Sequence, residues 1–257
     1  MSTVLNSFYS LARPSGLNVV TLSDLEQRAF SGGDMDFMAD PAERAVEFSS
    51  LVLRDRVRGR LLRSHGTTPP TLTTLNNRPA IQGYETASDL YADWQLGPSY
   101  TIFSAFETGP TIGTNDAVVS SFDQAQTNRM YVGPRNGDRF GLVQGIYTIS
   151  TAAGTILPNT KYVTWTAFNA DNVPVSGANT VEIGLNSPAM LATGRASSLH
   201  DGQTRMAFFG GTSDRGGAHK FAPIVVSNRY LGGDANMLRR TAIMAMLAEM
   251  VGVTLTV

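Results

Sequence analysis

Arginine recurs at every second position through Arg54, Arg56, Arg58 and Arg60. In a strand, that spacing projects all four side chains from one face. Four guanidinium groups in a row repel one another unless carboxylates, phosphates or solvent compensate. The row therefore reads as a solvated face or as a surface for an acidic protein partner. A formal net charge of −1 argues against nucleic acid. If the segment continues instead as a helix from Asp40-Pro41, the row disperses. A second kind of chemistry is sugar stacking, for which Trp94 and Tyr91 are the candidate platform. Trp94 stands between Asp93 and Gln95 and reads as exposed, whereas Trp165, inside the apolar run Tyr162–Phe168, reads as core.

Groups for acid–base or metal chemistry are sparse. Glu107 and Glu182 each stand alone in their segments and read as solvent-facing. His65, His200 and His219 are far apart in sequence, with no spacing that suggests a metal pair or a nucleophilic triad. Asp34-Met35-Asp36 is a lone Asp-x-Asp, and Asp171, Asn172 and Asp201 are turn residues. None of these amounts to a metal site, and no cofactor is expected. Cysteine is absent, which removes disulfides, thiolate nucleophiles and cysteine-based zinc sites.

The elements that must position these groups are mostly strands. The chain has 257 residues, 42% hydrophobic and 16% charged, enough for a sizeable core. Short apolar runs are predicted as strands at Ala80–Gln82, Tyr100–Phe106, Ala117–Phe122, Asn128–Val132, Arg139–Val143, Tyr147–Ser150, Tyr162–Phe168, Thr180–Leu185, Arg205–Phe209 and Phe221–Ser227. Turn chemistry separates them, at Asn76-Asn77 and most clearly at Asn136-Gly137, where both residues tolerate positive φ. Asp234 is predicted to cap a helix reaching about Met250, with Arg239-Arg240 on its polar side, and Val253–Val257 to form a last strand.

Residues 1–44 differ from the rest. Leu5, Phe8, Tyr9 and Leu11 form an apolar cluster in an N-terminal arm that packs on the domain or grips a neighbouring subunit. Ser23 and Glu26 have capping-box spacing for a helix from Asp24 to Phe30, and Asp40-Pro41 is a second helix start. Met1–Val20 lacks a basic segment followed by an apolar one, so no cleavable signal is expected. No apolar run is long enough to span a membrane, and no membrane partner is expected.

Several segments together resemble the concanavalin A-like, laminin G-like jelly-roll superfamily, closest to modules of bacteriophage structural and bacterial surface proteins. They are Leu75–Gly83, Gly97–Phe106, Arg139–Leu142, Tyr162–Phe168 and the closing strand, turn and helix at Pro223–Asn228, Leu231 and Ala235–Leu247. The resemblance covers roughly residues 70–252. It implies an all-β, two-sheet antiparallel jelly-roll sandwich over residues 45–257, closed by a C-terminal helix packed on it, with the N-terminal arm and its short helix over 1–44. Glycoside hydrolases of this superfamily carry a Glu-x-Asp-x-x-Glu strand, which this sequence lacks, so a non-enzymatic protein is expected. The resemblance implies a bacteriophage virion structural protein assembled in the host cytoplasm: a capsid decoration, head fibre or tail appendage. It would bind other virion proteins through the arm and form a homo-oligomer. The alternative it implies is a lectin-like module that binds a glycan or a host receptor.

Overall fold

A computed structural model describes residues 21–47, 50–64, 68–84, 89–121, 129–170, 179–196, 205–210 and 217–256. The arm residues Leu5, Phe8, Tyr9 and Leu11 lie outside this set, as do His65, Asp171, Asn172, His200 and Asp201.

In chain order the described elements are α1 (Leu22–Ser31), β1 (Phe37–Glu47), β2 (Ser50–Asp55), β3 (Leu61–Ser64), β4 (Thr71–Leu75), β5 (Arg78–Gln82), β6 (Leu90–Gln95), β7 (Tyr100–Glu107) and β8 (Val119–Ser121). They continue with β9 (Met130–Arg135), β10 (Arg139–Gln144), β11 (Tyr147–Ser150), β12 (Lys161–Asn169), β13 (Asn179–Leu185), β14 (Ala192–Ala196), β15 (Arg205–Phe208), β16 (Lys220–Ser227) and α2 (Met237–Val251). The ten strands expected between residues 80 and 227 are all present. The register is antiparallel throughout, in the order β11-β10-β9-β8-β15-β6-β3-β2-β1-β16-β7-β12-β13-β14, with β5 and β4 branching from β16.

Hydrogen bonding runs on from one wall to the other through β1 and β2, instead of stopping between two separate sheets. The path folds back until β11 and β14 lie side by side, making a nearly closed sandwich. Strand alternation explains the core. Phe37, Ile102, Phe106, Phe168, Val181 and Ile224 from one wall meet Leu62, Leu90, Val119, Val132, Leu142 and Phe208 from the other. A buried hydrogen bond from the Tyr100 hydroxyl to Gln144 Oε1 ties the walls together inside the core.

The outward side chains of the first wall form a second core under α2. Phe103, Val163, Trp165, Ala167 and Val225 pack on Ile243, Met244, Leu247 and Val251, with Leu25 and Phe30 of α1 at its border. Gly252 ends α2 in the left-handed conformation (φ 72°), which an L side chain resists. Beside it, Asn76 of the β4–β5 turn donates to the carbonyl of Met250.

Four expectations change. The capping box of α1 joins Thr21 and Asp24, not Ser23 and Glu26. Asp40-Pro41 starts no helix: it lies in a bulge of β1, between the Ala39–Asp55 and Arg44–Leu53 pairs. The Asp40 carboxylate accepts from the Ala42 N–H, a short-range bond that suits a bulge as well as a helix start. Residues 253–256 are not a strand; the Thr256 N–H donates instead to the Asn186 carbonyl.

Arg240 is the fourth. It is 1% exposed. It donates to the carbonyls of Pro188, Leu231 and Gly233, and its guanidinium lies 4.4 Å from the centre of the Trp165 ring. Burial lowers its pKa, while Glu182, Tyr230 and Asp234 act against that. A charged group enters the core here because backbone oxygens and an aromatic face receive it.

Candidate functional site

The arginine row does not form one face. β2 ends at Asp55, and Arg56 and Arg58 lie in the turn that leads to β3. The Asp55 carboxylate organises this turn by accepting from the N–H groups of Met38, Val57 and Arg58 and from Arg60 Nε at 3.0 Å. Arg56 pairs with Glu26 at 3.1 Å and Asp40 at 3.0 Å, and Arg58 lies 3.8 Å from Asp36. Arg54 donates to the Gly59 carbonyl. The compensation that the row requires comes from within the chain, so the arginines fasten α1 and β1 to the hairpin.

Trp94 is not an exposed platform. It stacks on Phe37 at 5.0 Å, Phe37 stacks on Phe208 at 4.6 Å, and the Arg60 guanidinium lies over both Phe37 and Trp94. Leu90, Ala92 and Trp94 all belong to the core side of β6. Tyr91 faces the other way.

The remaining acidic and basic groups are structural. Glu182 is not solvent-facing: it accepts from the Tyr230 hydroxyl and the Gly233 N–H, both at 2.7 Å. Burial, followed by this carboxylate, raises the Tyr230 pKa. Glu107 pairs with Lys220 at 3.0 Å. On β12, Glu107 is opposite Lys161 and Glu182 opposite Ala167, six positions or about 20 Å apart along the strand. Paired catalytic carboxylates of a glycosidase stand about 5–10 Å apart. Asp34 approaches Arg229 and Arg239, while Asp36 accepts from the Asn228 N–H. Among the described residues, no three His, Asp or Glu side chains converge as metal ligands.

What the structure does assemble lies on the outward face of the second wall, at the end where β9 turns into β10. Asn136 and Gly137 make that turn with φ of 51° and 81°. The pairing aligns an outward row across the wall: Thr148, Val143, Tyr131, Ser120, Ala207, Tyr91 and Arg63. Tyr91 therefore shares its face with Tyr131, two strands lying between them. Tyr131 is 6% exposed and donates to Asn115 Oδ1 at 2.6 Å. Two residues further along β9 lies Gly133, and two beyond that Arg135.

Glycines make room for this arrangement. A side chain at Gly133 would strike the backbone of Asp116, Ala117 and Val118, so its absence lets that segment lie on the strand. A side chain at Gly141 would come within 2.8 Å of Arg135 Cδ, so the arginine stem lies across β10. The segment bearing Asn115 is held from below. Gly113 donates to Asp116 Oδ2, which lies 3.0 Å from Nε2 of the fully buried His219. The Gly109 N–H donates to His219 Nδ1, which leaves the ring proton on Nε2, beside the carboxylate.

Arg135 is 8% exposed, with its guanidinium 5.8 Å from the centre of the Tyr131 ring. Its Nε and Nη1 are buried and have no hydrogen-bond partner among the described residues. At the rim, Asp138 and Arg139 have half-exposed side chains 3.7 Å apart. The site thus combines an aromatic ring, an amide and a guanidinium with unused donors. Its residues gave no motif, because the signal is a missing partner in three dimensions.

No protein-family profile matches the chain, and no curated protein matches it. Among solved structures it resembles Trypanosoma rangeli sialidase in complex with the inhibitor DANA, with a TM-score of 0.56 and 10% identity over 83% of this chain and 33% of that one. It also resembles domain 4 of AbnA, an extracellular arabinanase from Geobacillus stearothermophilus, in complex with arabinotriose. There the TM-score is 0.55 and the identity 10%, over 74% of this chain and 91% of that domain. A third is the binding domain of Paraclostridial Mosquitocidal Protein 1, with a TM-score of 0.55 and 10% identity over 82% of this chain and 52% of that one. The chain spans about a third of the length of the sialidase that it matches. At such identities the likeness is one of fold alone: a β-sandwich.

Proposed function

We propose that this chain is a non-catalytic, carbohydrate-binding β-sandwich module that takes its ligand on the outward face of the second wall, at the β9–β10 end. The observation that carries this reading is the group formed there by Tyr131, Asn115 and Arg135, with buried guanidinium donors left unused. Sugar sites combine an aromatic surface with a few convergent polar groups. The outward face of the first wall is covered by α2. On the second wall Ser120 and Ala207 are fully buried too, while Tyr131 and Arg135 keep 6% and 8% of their surface, so the reading concerns the β9–β10 rim and not the whole face. The arabinanase domain, solved with arabinotriose, lends this fold a carbohydrate-binding precedent. A non-catalytic role is favoured because Glu107 and Glu182 are engaged elsewhere and stand far apart.

The reading as a bacteriophage virion component, assembling as a homo-oligomer with other virion proteins, gains no comparable support. Its apolar arm lies outside the described residues, and its arginines make contacts within the chain. The test is a glycan array with the purified chain, repeated with Tyr131→Ala and Trp94→Ala. Binding that Tyr131→Ala removes and Trp94→Ala retains is expected. A blank array at high protein concentration would overturn the proposal.

A further inference from the structure

Arg135 differs from the other deeply placed arginines. Arg240 donates to three carbonyls, and Arg56 pairs with carboxylates. Arg135 has an aromatic ring beside it and no carboxylate partner among the described residues. An arginine stays protonated at any physiological pH, so the cost of burying it cannot be relieved by losing the proton. Nε and Nη1 belong to different edges of the planar group, so an acceptor arriving on either edge meets an unused donor. Access is narrow: Tyr131 keeps 6% and Arg135 8% of its surface. Nε and Nη1 are themselves out of solvent contact, so any acceptor must approach by the edge through which Arg135 keeps that surface. The stem of Arg135 passes close to Gly141, and its planar fork can take a two-oxygen acid group on one edge.

We infer that Arg135 receives the carboxylate of an acidic sugar, which makes the module selective for uronate-type glycans over their neutral counterparts. The inference rests on the glycan-binding reading of the same face and adds the class of ligand.

The experiment is calorimetric titration of the full chain with a uronic-acid oligosaccharide, with the same oligosaccharide after reduction of its carboxyl groups to alcohols, and with a sulfated neutral analogue. A charge-assisted pair of this kind should favour the uronate form over the reduced one by about tenfold or more. Arg135→Gln should abolish that preference, so that the two forms bind alike. Equal binding of both forms, a preference that survives Arg135→Gln, or stronger binding of the sulfated analogue would each overturn the inference and leave the glycan reading standing. If no oligosaccharide binds, both fall together. A ligand-free measurement separates recognition from structure. Arg135→Met should leave the melting temperature unchanged or raise it, because it removes an unpaired buried charge. A large fall would show that Arg135 is a structural residue and contradict the inference.

Discussion

Replacing Arg240 by methionine tests how the first wall and its helix are joined. The substitution keeps most of the buried volume but removes every donor to the carbonyls of Pro188, Leu231 and Gly233. A buried acceptor stranded in this way costs about 1–3 kcal/mol, and the lost contact with the Trp165 face adds about 0.5–2 kcal/mol. Against this stands the desolvation of the guanidinium, which methionine avoids and which is the first cause of the lowered Arg240 pKa. With three carbonyls stranded and one desolvation cost relieved, the balance should be a net loss of about 2–4 kcal/mol. For a chain of this size that corresponds to a fall on the order of 10 °C in melting temperature. Urea unfolding followed by tryptophan fluorescence reads it directly, since Trp165 touches the altered side chain. Arg240→Lys should fall between, because one ammonium cannot reproduce a planar fork aimed at three oxygens. A methionine variant within about 1 kcal/mol of wild type, outside the range expected for stranded acceptors, would refute this account of the clamp.

Other expectations follow from the same reasoning. Trp94→Ala should cost about 3–5 kcal/mol in denaturant unfolding, because it opens the Phe208–Phe37–Trp94 stack; a stable variant would return Trp94 to the surface. Burial raises the pKa values of Tyr100 and Tyr230 in the folded chain. Above about pH 10 the unfolded chain releases these protons and the folded one retains them, so stability should be constant at lower pH and fall as pH rises past 10. Urea midpoints between pH 8 and 11 check this, and Tyr100→Phe should flatten part of the decline. Gly141→Ala should lower stability and glycan binding together, because a Cβ there meets the Ile149 carbonyl oxygen at 2.5 Å as well as Arg135 Cδ at 2.8 Å; an unchanged urea midpoint would remove this close approach from the account.

Much of the fold was legible because the core strands are apolar runs bounded by turn residues. What was missed shows where that signal ends. β14, Ala-Thr-Gly-Arg-Ala, has little to distinguish it from a loop. β6 was readable: Leu90, Ala92 and Trp94 alternate, which places Trp94 inside. Reading Trp94 by its polar neighbours hid the period. Arg240 was hidden in the same way, since it precedes Met244, Leu247 and Val251 by four, seven and eleven positions on the buried stripe of α2. The arginine row failed for a different reason. A period of two holds only while the strand continues, and Asp55 ends the strand by drawing the backbone into a turn.

The candidate site was barely legible. Tyr91 was identified and lies on its face, but Asn115, Tyr131 and Arg135 come together only through the pairing of β9 with its neighbours and the Gly133 crossing. Nothing in the local sequence around Arg135 announces that its donors find no partner. Its only sequence mark is its position immediately before the Asn136-Gly137 turn.

The central claim, that ligand binds on the outward face of the second wall, is tested most directly by amide hydrogen exchange with and without a saturating uronic-acid oligosaccharide. The account predicts new protection confined to residues 113–118, 131–135 and 139–141. Protection elsewhere with none in these segments, or no change at a concentration that saturates binding, would contradict it.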